Sequence, residues 1–362
     1  MLITILIFIA ILAVLVLSHE FGHFIVAKKS GMRVDEFGFG FPPRLFGFKK
    51  GETLYSVNLF PIGGFVKIYG EDGEERKDPK SFSSNTFTKK SAVIVAGVVM
   101  NVFVAYLLFS AASMLGTPAV VSADEQLPPN VTNAAVHIVG ISPNSPAADA
   151  GLRAGDKILS LANEEQNIPI TFISEVQQFI EANKGQNIVF QVARGSQTLD
   201  ITVAARGEAP EGEGLTGISL VRAGVVHQPW HLAVWEGAKT TVLATQATLA
   251  GFARVFSSVI STGSLPEDIA GPVGIAYMTG AIRELGMSYL VQFMAIISLN
   301  LAILNIIPFP ALDGGRLAFL IAEKVKGSPV SRKVEGMTHA AGFALLIIFI
   351  IFITFHDIGR VF

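Results

Sequence analysis

The chain contains no cysteine, and charged residues make up only 15% of its 362 residues. Without thiols it can form neither disulfides nor thiolate metal sites, so any metal must be held by histidine or carboxylate side chains. The charged fraction is well below the ~25% of average soluble proteins, which argues against an ordinary soluble enzyme. The formal net charge of −2 gives no bulk electrostatic reason to bind nucleic acid. Hydrophobic residues, by contrast, make up 51% of the chain.

Four apolar stretches are each long enough to be a membrane span, which needs about 20 residues. They predict transmembrane helices at residues 1–27, 91–116, 288–316 and 334–356. The alternative for the first stretch is a secretory signal peptide, but it lacks the basic start and the small-residue cleavage site of one. The sequence therefore predicts a polytopic α-helical membrane protein with about four transmembrane helices.

Lysine and arginine are concentrated in two of the connecting segments, between the first and second spans and between the third and fourth. The positive-inside rule places both segments in the cytoplasm. Residues 116–287 and both termini then face outside. Residues late in the first span are expected toward the cytoplasmic side of the bilayer.

A His-Glu-x-x-His sequence, His19 to His23, lies late in the first span. Positions four apart share one face of a helix, so both imidazoles can reach one metal while Glu20 lies one position away to handle a water. Two histidines and a glutamate are costly in hydrocarbon, and such residues there mark functional sites. The pattern predicts hydrolysis at a metal site within the membrane.

A catalytic zinc generally takes three protein ligands and a water, so another helix must supply the third ligand. Asp313 is the only carboxylate in or next to the third span before Glu323. Pro308 and Pro310 break that helix, and a membrane tolerates broken helices only beside protein or a water cavity. Asp313 is therefore the predicted third ligand. Its alternative role is to cap a short helix that begins near Gly314.

The first cytoplasmic segment, residues 28–90, contains two β-rich and aromatic stretches that begin at Val34 and Thr53. Glycine and proline between and within them favour turns. We expect a membrane-associated β-hairpin region that lies against the bilayer or covers the metal site. An interfacial aromatic belt is the alternative interpretation.

The external segment contains one inserted α+β domain, predicted at residues 124–206. Its order of strand, short helix, strand, helix and hairpin, with the sequence SPAADAGLRAGDKILSLAN, resembles a bacterial PDZ domain. Such domains bind an extended peptide as an added strand, here with a groove predicted at Val139, Gly140 and Ile141. Residues 225–287 predict one or two amphipathic surface helices, with a fifth span as the alternative.

HEFGH in the first span, the PDZ-like domain and NIIPFPALDGGR in the third span together resemble the site-2 protease family of intramembrane zinc metalloproteases. Within that family the arrangement is closest to the bacterial regulator-of-sigma-E protease group, here with a single PDZ domain. The resemblance implies one catalytic Zn²⁺ ion held by His19, His23 and Asp313, with Glu20 as the general base.

The same resemblance implies roles outside the metal ligands. Asn305 would hold the substrate backbone or the developing oxyanion, and Gly38 and Gly40 would lie in the hairpin segment that presents a strand edge to substrate. The second span departs from the family pattern, because Gly97 and Asn101 are kept but Val98 stands where proline is usual.

The implied function is hydrolysis of peptide bonds within or near the transmembrane segments of single-span membrane proteins, such as an anti-sigma factor or a signal-peptide remnant. The implied location is the bacterial cytoplasmic membrane, where the PDZ domain excludes bulky substrates or binds the C-terminus left by an earlier protease. Two other classes remain open. A catalytically silent PDZ-bearing membrane adaptor would have no need of Glu20. An ion or proton transporter would use Glu20 and Asp313 as pathway groups, but we find no internal repeat in the chain.

Overall fold

The computed structural model describes residues 2–71, 78–122, 129–195, 197–210, 213–262, 270–328 and 330–361. Parts of three predicted regions lie outside the described residues, namely 72–77 in the first cytoplasmic segment, 124–128 in the small domain and 263–269 before the third span. The chain divides into two compact units, one formed by Met1–Ala112 with Trp230–Phe362 and the other by Ser113–Pro229.

In chain order the helices and strands are α1 (Leu2–Lys29), β1 (Val34–Lys50), β2 (Thr53–Ile68), α2 (Phe87–Leu115), β3 (Thr117–Val120), β4 (Val131–Ile141), α3 (Pro146–Asp149), β5 (Lys157–Ala162), β6 (Asn167–Pro169), α4 (Ile173–Ala182), β7 (Asn187–Arg194), β8 (Gln197–Ala204), β9 (Ile218–Val226), α5 (Trp230–Thr262), α6 (Pro272–Leu285), α7 (Met287–Ile306), α8 (Asp313–Lys326) and α9 (Arg332–Val361).

In the described ranges, four helices are long and apolar enough to cross a membrane, namely α1, α2, α7 and α9. The chain is thus a polytopic membrane protein with an added β region, as the apolar stretches predicted. Helices α5 and α6 occupy most of residues 225–287, and neither meets the length and hydropathy of a span. The first two residues of that range belong instead to strand β9.

The predicted third span, 288–316, is divided into two helices. Helix α7 ends at Ile306, and the next residue, Ile307, is extended with φ −60° and ψ 134°. A residue that precedes proline is disfavoured in the helical region, and Pro308 itself has no N–H to donate. Helix α8 begins at Asp313. The aspartate therefore stands at the start of a separate helix rather than inside a continuous span.

Close packing of α1, α2 and α7 builds the core of the helical unit. Ile11 and Leu15 of α1 are buried against Phe293 of α7. Phe109 of α2 packs with Leu299 of α7. At Gly22, which lies between the two histidines in the sequence, α1 approaches α2 so closely that a Cβ would collide with the Ala96 carbonyl. This approach brings the His-Glu-x-x-His turn of α1 against α2.

Strands β1 and β2 form a bent antiparallel hairpin. The first half of β1 lies between two segments of β2, since Gly38 is paired with both Phe65 and Ser56. The second half of β1 pairs with the start of β2, from Arg44 opposite Asn58 to the turn. The predicted β-rich region is therefore one hairpin whose ends fold back on each other.

The second unit is built on a seven-stranded sheet in the order β3-β9-β4-β5-β7-β8, with β6 paired to β5. Helix α4 packs on its apolar core through residues that include Val176 and Phe179. Burial alone would raise the pKa of the Asp156 carboxyl, but the Arg194 guanidinium and a backbone N–H outweigh burial, and its pKa lies below the ordinary value.

The sheet extends beyond the predicted domain of 124–206. Strand β9, residues 218–226, lies between β3 and β4, so the unit continues to Pro229. The run Gly207-Glu-Ala-Pro-Glu-Gly-Glu-Gly214 has the composition of a linker. The apolar stretch after it returns to the same sheet, which sequence-local patterns do not reveal.

Candidate metal centre

Helix α1 and the start of α8 bring the three predicted ligands together. The Nε2 atoms of His19 and His23 lie 3.0 and 3.2 Å from Oδ2 of Asp313, and 3.1 Å from each other. Both histidines are buried, at 7% and 9% exposure. A three-ligand group of this kind is the only one found in the described part of the chain.

The spacing of these atoms fits a zinc ion. In a tetrahedral site with bonds of about 2.0–2.1 Å, neighbouring ligand atoms lie about 3.3 Å apart. The three observed separations are 3.0, 3.1 and 3.2 Å. Two imidazole nitrogens and one carboxylate oxygen also form a donor set that zinc prefers. The residues present therefore match a zinc site in both spacing and chemistry.

The outer nitrogens of both imidazoles are held by α2. His23 Nδ1 lies 2.7 Å from the Val93 carbonyl oxygen, so Nδ1–H donates to it and Nε2 keeps its lone pair for a metal. His19 Nδ1 lies 3.4 Å from the amide of Asn101, whose Oδ1 has no partner among the described residues. A half-turn of that amide presents Oδ1 to His19 Nδ1–H. Helix α2 thus orients both ligands, through residues to which the sequence analysis assigned no role.

Glycine at position 97 lets α2 approach the two imidazoles. A Cβ at Gly97 would lie 2.5 Å from His23 Nε2 and 2.7 Å from His19 Cε1. Distances below 3.0 Å do not occur for real Cβ atoms, so any side chain here must displace a ligand. The signal in the sequence for this contact was the spacing of Gly97 and Asn101, because residues four apart share one face of α2.

We expect Gly97→Ala to weaken zinc binding by about 10–100-fold, the range seen when groups that orient metal ligands are altered. The added methyl pushes the imidazoles away from Asp313. Zinc affinity measured by competition with a chelator tests this. Gly336→Ala in α9 is the matched control, because a Cβ there meets nothing within 4 Å. Equal zinc affinity for Gly97→Ala and the wild type would contradict the packing argument.

Glu20 faces a cavity beside the three ligands. The cavity has a volume of about 200 Å³, and its lining includes Glu20, His23, Asp313 and Arg316. Arg316 forms an ion pair with Glu71, which follows the hairpin. The carboxylate of Glu20 does not belong to the group of converging ligands, so it is available to a water or substrate in the cavity.

Asn305 lies in the last turn of α7, close to the ligand His19. Its Nδ2 is 3.5 Å from His19 Nε2. The predicted residue is therefore close to the centre, as a donor and not as a ligand.

Gly38 and Gly40 lie in strand β1 of the hairpin, and neither lines the cavity beside Glu20. Gly38 is flanked by β2 on both sides, and a Cβ on it would collide with the ring of Phe65. The segment nearest to Glu20 is instead Gly64–Ile68 of β2, where a Cβ at Gly64 would lie 3.4 Å from Glu20 Cγ. Phe65, Val66 and Ile68 also line the cavity.

The predicted peptide groove of the small domain lies on β4, whose residues 139–141 have β9 on one side. Gly140 and Ile141 of β4 pair with Ser219 and Ile218 of β9. Val139 lies at a bulge between the paired residues Ile138 and Gly140. Strand β9 has β4 on one side, while β3 covers only its residues 223–226 on the other. Among the described strands, residues 218–221 of β9 are therefore unpaired on the side away from β4.

Comparison with known proteins agrees with this geometry. Residues 7–349 match the model of peptidase family M50. The chain is 30% identical to zinc metalloprotease RasP of Geobacillus kaustophilus, over 98% of this chain and 97% of that protein. It is 29% identical to regulator of sigma-W protease RasP of Bacillus subtilis, over 99% of both. These alignments run to 441 and 444 positions, so the relatives contain segments that this chain of 362 residues lacks.

Proposed function

The chain belongs to peptidase family M50, the site-2 proteases, and is a zinc metalloprotease, and from this premise we propose that His19, His23 and Asp313 hold its single zinc ion, with Glu20 as the general base. The observation that supports the assignment is the convergence of three ligand atoms at 3.0, 3.1 and 3.2 Å. A zinc ion bound there would act as a Lewis acid and would lower the pKa of its bound water toward ~7.

The protein's own groups then move the protons. Glu20 takes a proton from the attacking water as that water adds to the peptide carbonyl, and passes it to the leaving amine. The Asn305 side-chain N–H donates to the oxygen on which negative charge develops. Buried His19 and His23 stay fixed because α2 holds their outer nitrogens. Bond cleavage thus requires no cysteine or serine nucleophile.

We propose that the substrate binds as an added strand along Gly64–Ile68. A transmembrane helix hides its peptide bonds in its own hydrogen bonds and must unwind to be cut. An extended substrate can replace the lost bonds by pairing with a strand edge. Among the described strands, Gly64–Lys67 is paired only on the side of β1, and the segment adjoins Glu20. The roles first expected for Gly38 and Gly40 are then indirect, since they let β1 support this edge.

The substrate class we propose is a single-span membrane protein such as an anti-sigma factor, in line with the name of the Bacillus subtilis relative. A bacterial membrane protein of this kind would have its metal centre toward the cytoplasm and the 113–229 unit outside, as the distribution of cationic residues indicates. We further propose that this unit is a PDZ domain. Its peptide-binding edge would be residues 218–221 of β9.

Neither rival class accounts for the site. A silent adaptor has no use for Glu20 in a cavity beside three converged ligands. A transporter needs a pathway of polar groups, whereas the ligand atoms here meet at one point at zinc spacing.

Cleavage of single-span substrates by the purified protein in detergent tests the proposed function. We expect cuts within the span, mapped by mass spectrometry. A zinc chelator should abolish them, and added Zn²⁺ should restore them, because the site holds three protein ligands and relies on the metal. Cleavage that persists after complete removal of zinc would rule out the proposed mechanism. Cuts confined to the flanking soluble segments would rule out the intramembrane substrate site.

A further inference from the structure

The link between α7 and α8 contains a strained residue two positions before the metal ligand Asp313. Ala311 has φ +81°, in the left-handed region that residues with a Cβ rarely occupy. Such a conformation is unfavourable for an L-residue, and it persists only where surrounding groups hold it. The strained position is followed directly by Leu312 and then by Asp313.

Helix α9 supplies the group that holds this turn. The backbone N–H of Ala311 donates to Nδ1 of His339 at 2.9 Å. The His339 ring also contacts the ring of Phe319 on α8, with centroids 5.4 Å apart. One turn further along α9, Gly342 packs against Pro310, where an added Cβ would lie 2.5 Å from the Pro310 carbonyl oxygen. Helix α9 therefore contacts the two residues that set the direction of the chain into α8.

The link in turn determines where α8 starts. The Leu312 N–H donates to the Phe309 carbonyl at 3.1 Å. The Leu312 carbonyl accepts from the N–H groups of Gly315 and Arg316, at 3.1 and 3.3 Å, and so forms the first turn of α8. Asp313 lies inside that turn. A shift of the Ala311 turn would rotate the first residue of α8, and Asp313 Oδ2 would leave its place 3.0 Å from His19.

We propose that His339 is a positioning residue that fixes Asp313 on the zinc ion by accepting the Ala311 N–H. This inference rests on the proposed function, because it presumes that Asp313 is a zinc ligand. His339 is not one of the three converged ligand residues. With Nδ1 accepting, the neutral imidazole carries its proton on Nε2, a buried atom without a partner among the described residues. The hydrogen bond to Ala311 is thus the one polar contact that the ring makes in the described structure.

The test compares variants at position 339 for zinc affinity, measured by chelator competition on the full chain in detergent. His339→Phe keeps an aromatic ring against Phe319 but has no acceptor, and we expect it to weaken zinc binding about 10–100-fold. His339→Asn places Oδ1 near the position of Nδ1, so we expect affinity within about threefold of wild type. The neighbouring Thr338→Val is the matched control, because Thr338 donates only to the Val334 carbonyl within α9.

A second pair of variants tests the turn without changing the histidine. Ala311→Gly removes the conformational strain, so the double variant Ala311→Gly with His339→Phe should recover most of the lost zinc affinity. Gly342→Ala pushes on Pro310 and should lower the affinity although His339 is intact. These variants keep the inference testable if His339→Phe fails to fold.

Two failures can be told apart. If the wild type binds zinc and Asp313→Asn does not, the proposed site stands. Wild-type zinc affinity in folded His339→Phe, or in Gly342→Ala when His339→Phe does not fold, would then overturn the positioning role alone. If Asp313→Asn binds zinc as well as the wild type, the proposed function itself fails.

Discussion

Glu20→Gln should lower the rate of peptide-bond cleavage by at least about 10²–10⁴-fold, the usual contribution of general acid–base catalysis. Glutamine has the same shape but cannot accept the proton of the attacking water at neutral pH. Zinc binding should be unchanged, since Glu20 is not among the three converged ligands. Single-turnover cleavage of a single-span substrate, with zinc measured on the same sample, gives both quantities.

The control for this variant is Glu236→Gln on α5. It makes the same carboxylate-to-amide change in the same unit, at a residue whose partner is Lys239 at 3.7 Å. Surface pairs of this kind contribute about 0–1 kcal/mol, so activity should stay at the wild-type level. A Glu20→Gln enzyme that cuts within tenfold of the wild-type rate would show that another group takes the proton.

The metal ligands were predictable because their signals are local or chemically exclusive. His19 and His23 are four residues apart on a helix, and helical geometry alone puts them on one face. Asp313 is the only carboxylate within the predicted third span, 288–316, so elimination pointed to it. The prolines predicted that the helix breaks, and α7 does end at Ile306, two residues before Pro308. What the sequence did not define is that α8 then begins at Asp313 itself.

The groups that support these ligands were not predictable, because they act through non-local contacts. Every residue has a backbone carbonyl, and only the packing of α2 determines that the carbonyl of Val93 holds His23. The hydrogen bond from Ala311 to His339 joins residues 28 positions apart. Two features identify this contact, namely the positive φ of Ala311 and the imidazole in α9. The positive φ cannot be read from the sequence.

The β regions show the same division. Alternation and turn residues predicted the strands of the hairpin, but strand pairing decides which edge is open. Gly38 is enclosed on both sides by β2, and Gly64 lies beside Glu20 instead. In the second unit the same difficulty hid β9, whose partners β3 and β4 are both distant in sequence. Strand order is set by long-range pairing, which periodicity in one segment does not encode.

Asp313→Asn should abolish both zinc retention and cleavage, and so differ from Glu20→Gln, which should lose only cleavage. The amide removes the negative charge and replaces one carboxylate oxygen by an N–H group that cannot bind a metal. The loss of zinc affinity should exceed the about 10–100-fold that alterations around the ligands cause. Chelator competition on the purified variant measures it, with cleavage recorded at saturating zinc.

Asp357→Asn is the matched control, because Asp357 is a buried aspartate of the same helical unit. Its carboxylate accepts from the N–H groups of Gly271 and Gly274, at 3.1 and 2.7 Å, and so caps the start of α6. We expect this variant to melt at a lower temperature and to keep its zinc. If Asp313→Asn behaves in the same way, with lowered stability and intact zinc, then Asp313 serves the start of α8 as a favourable charge. The zinc would then be held by the two histidines with a ligand other than Asp313.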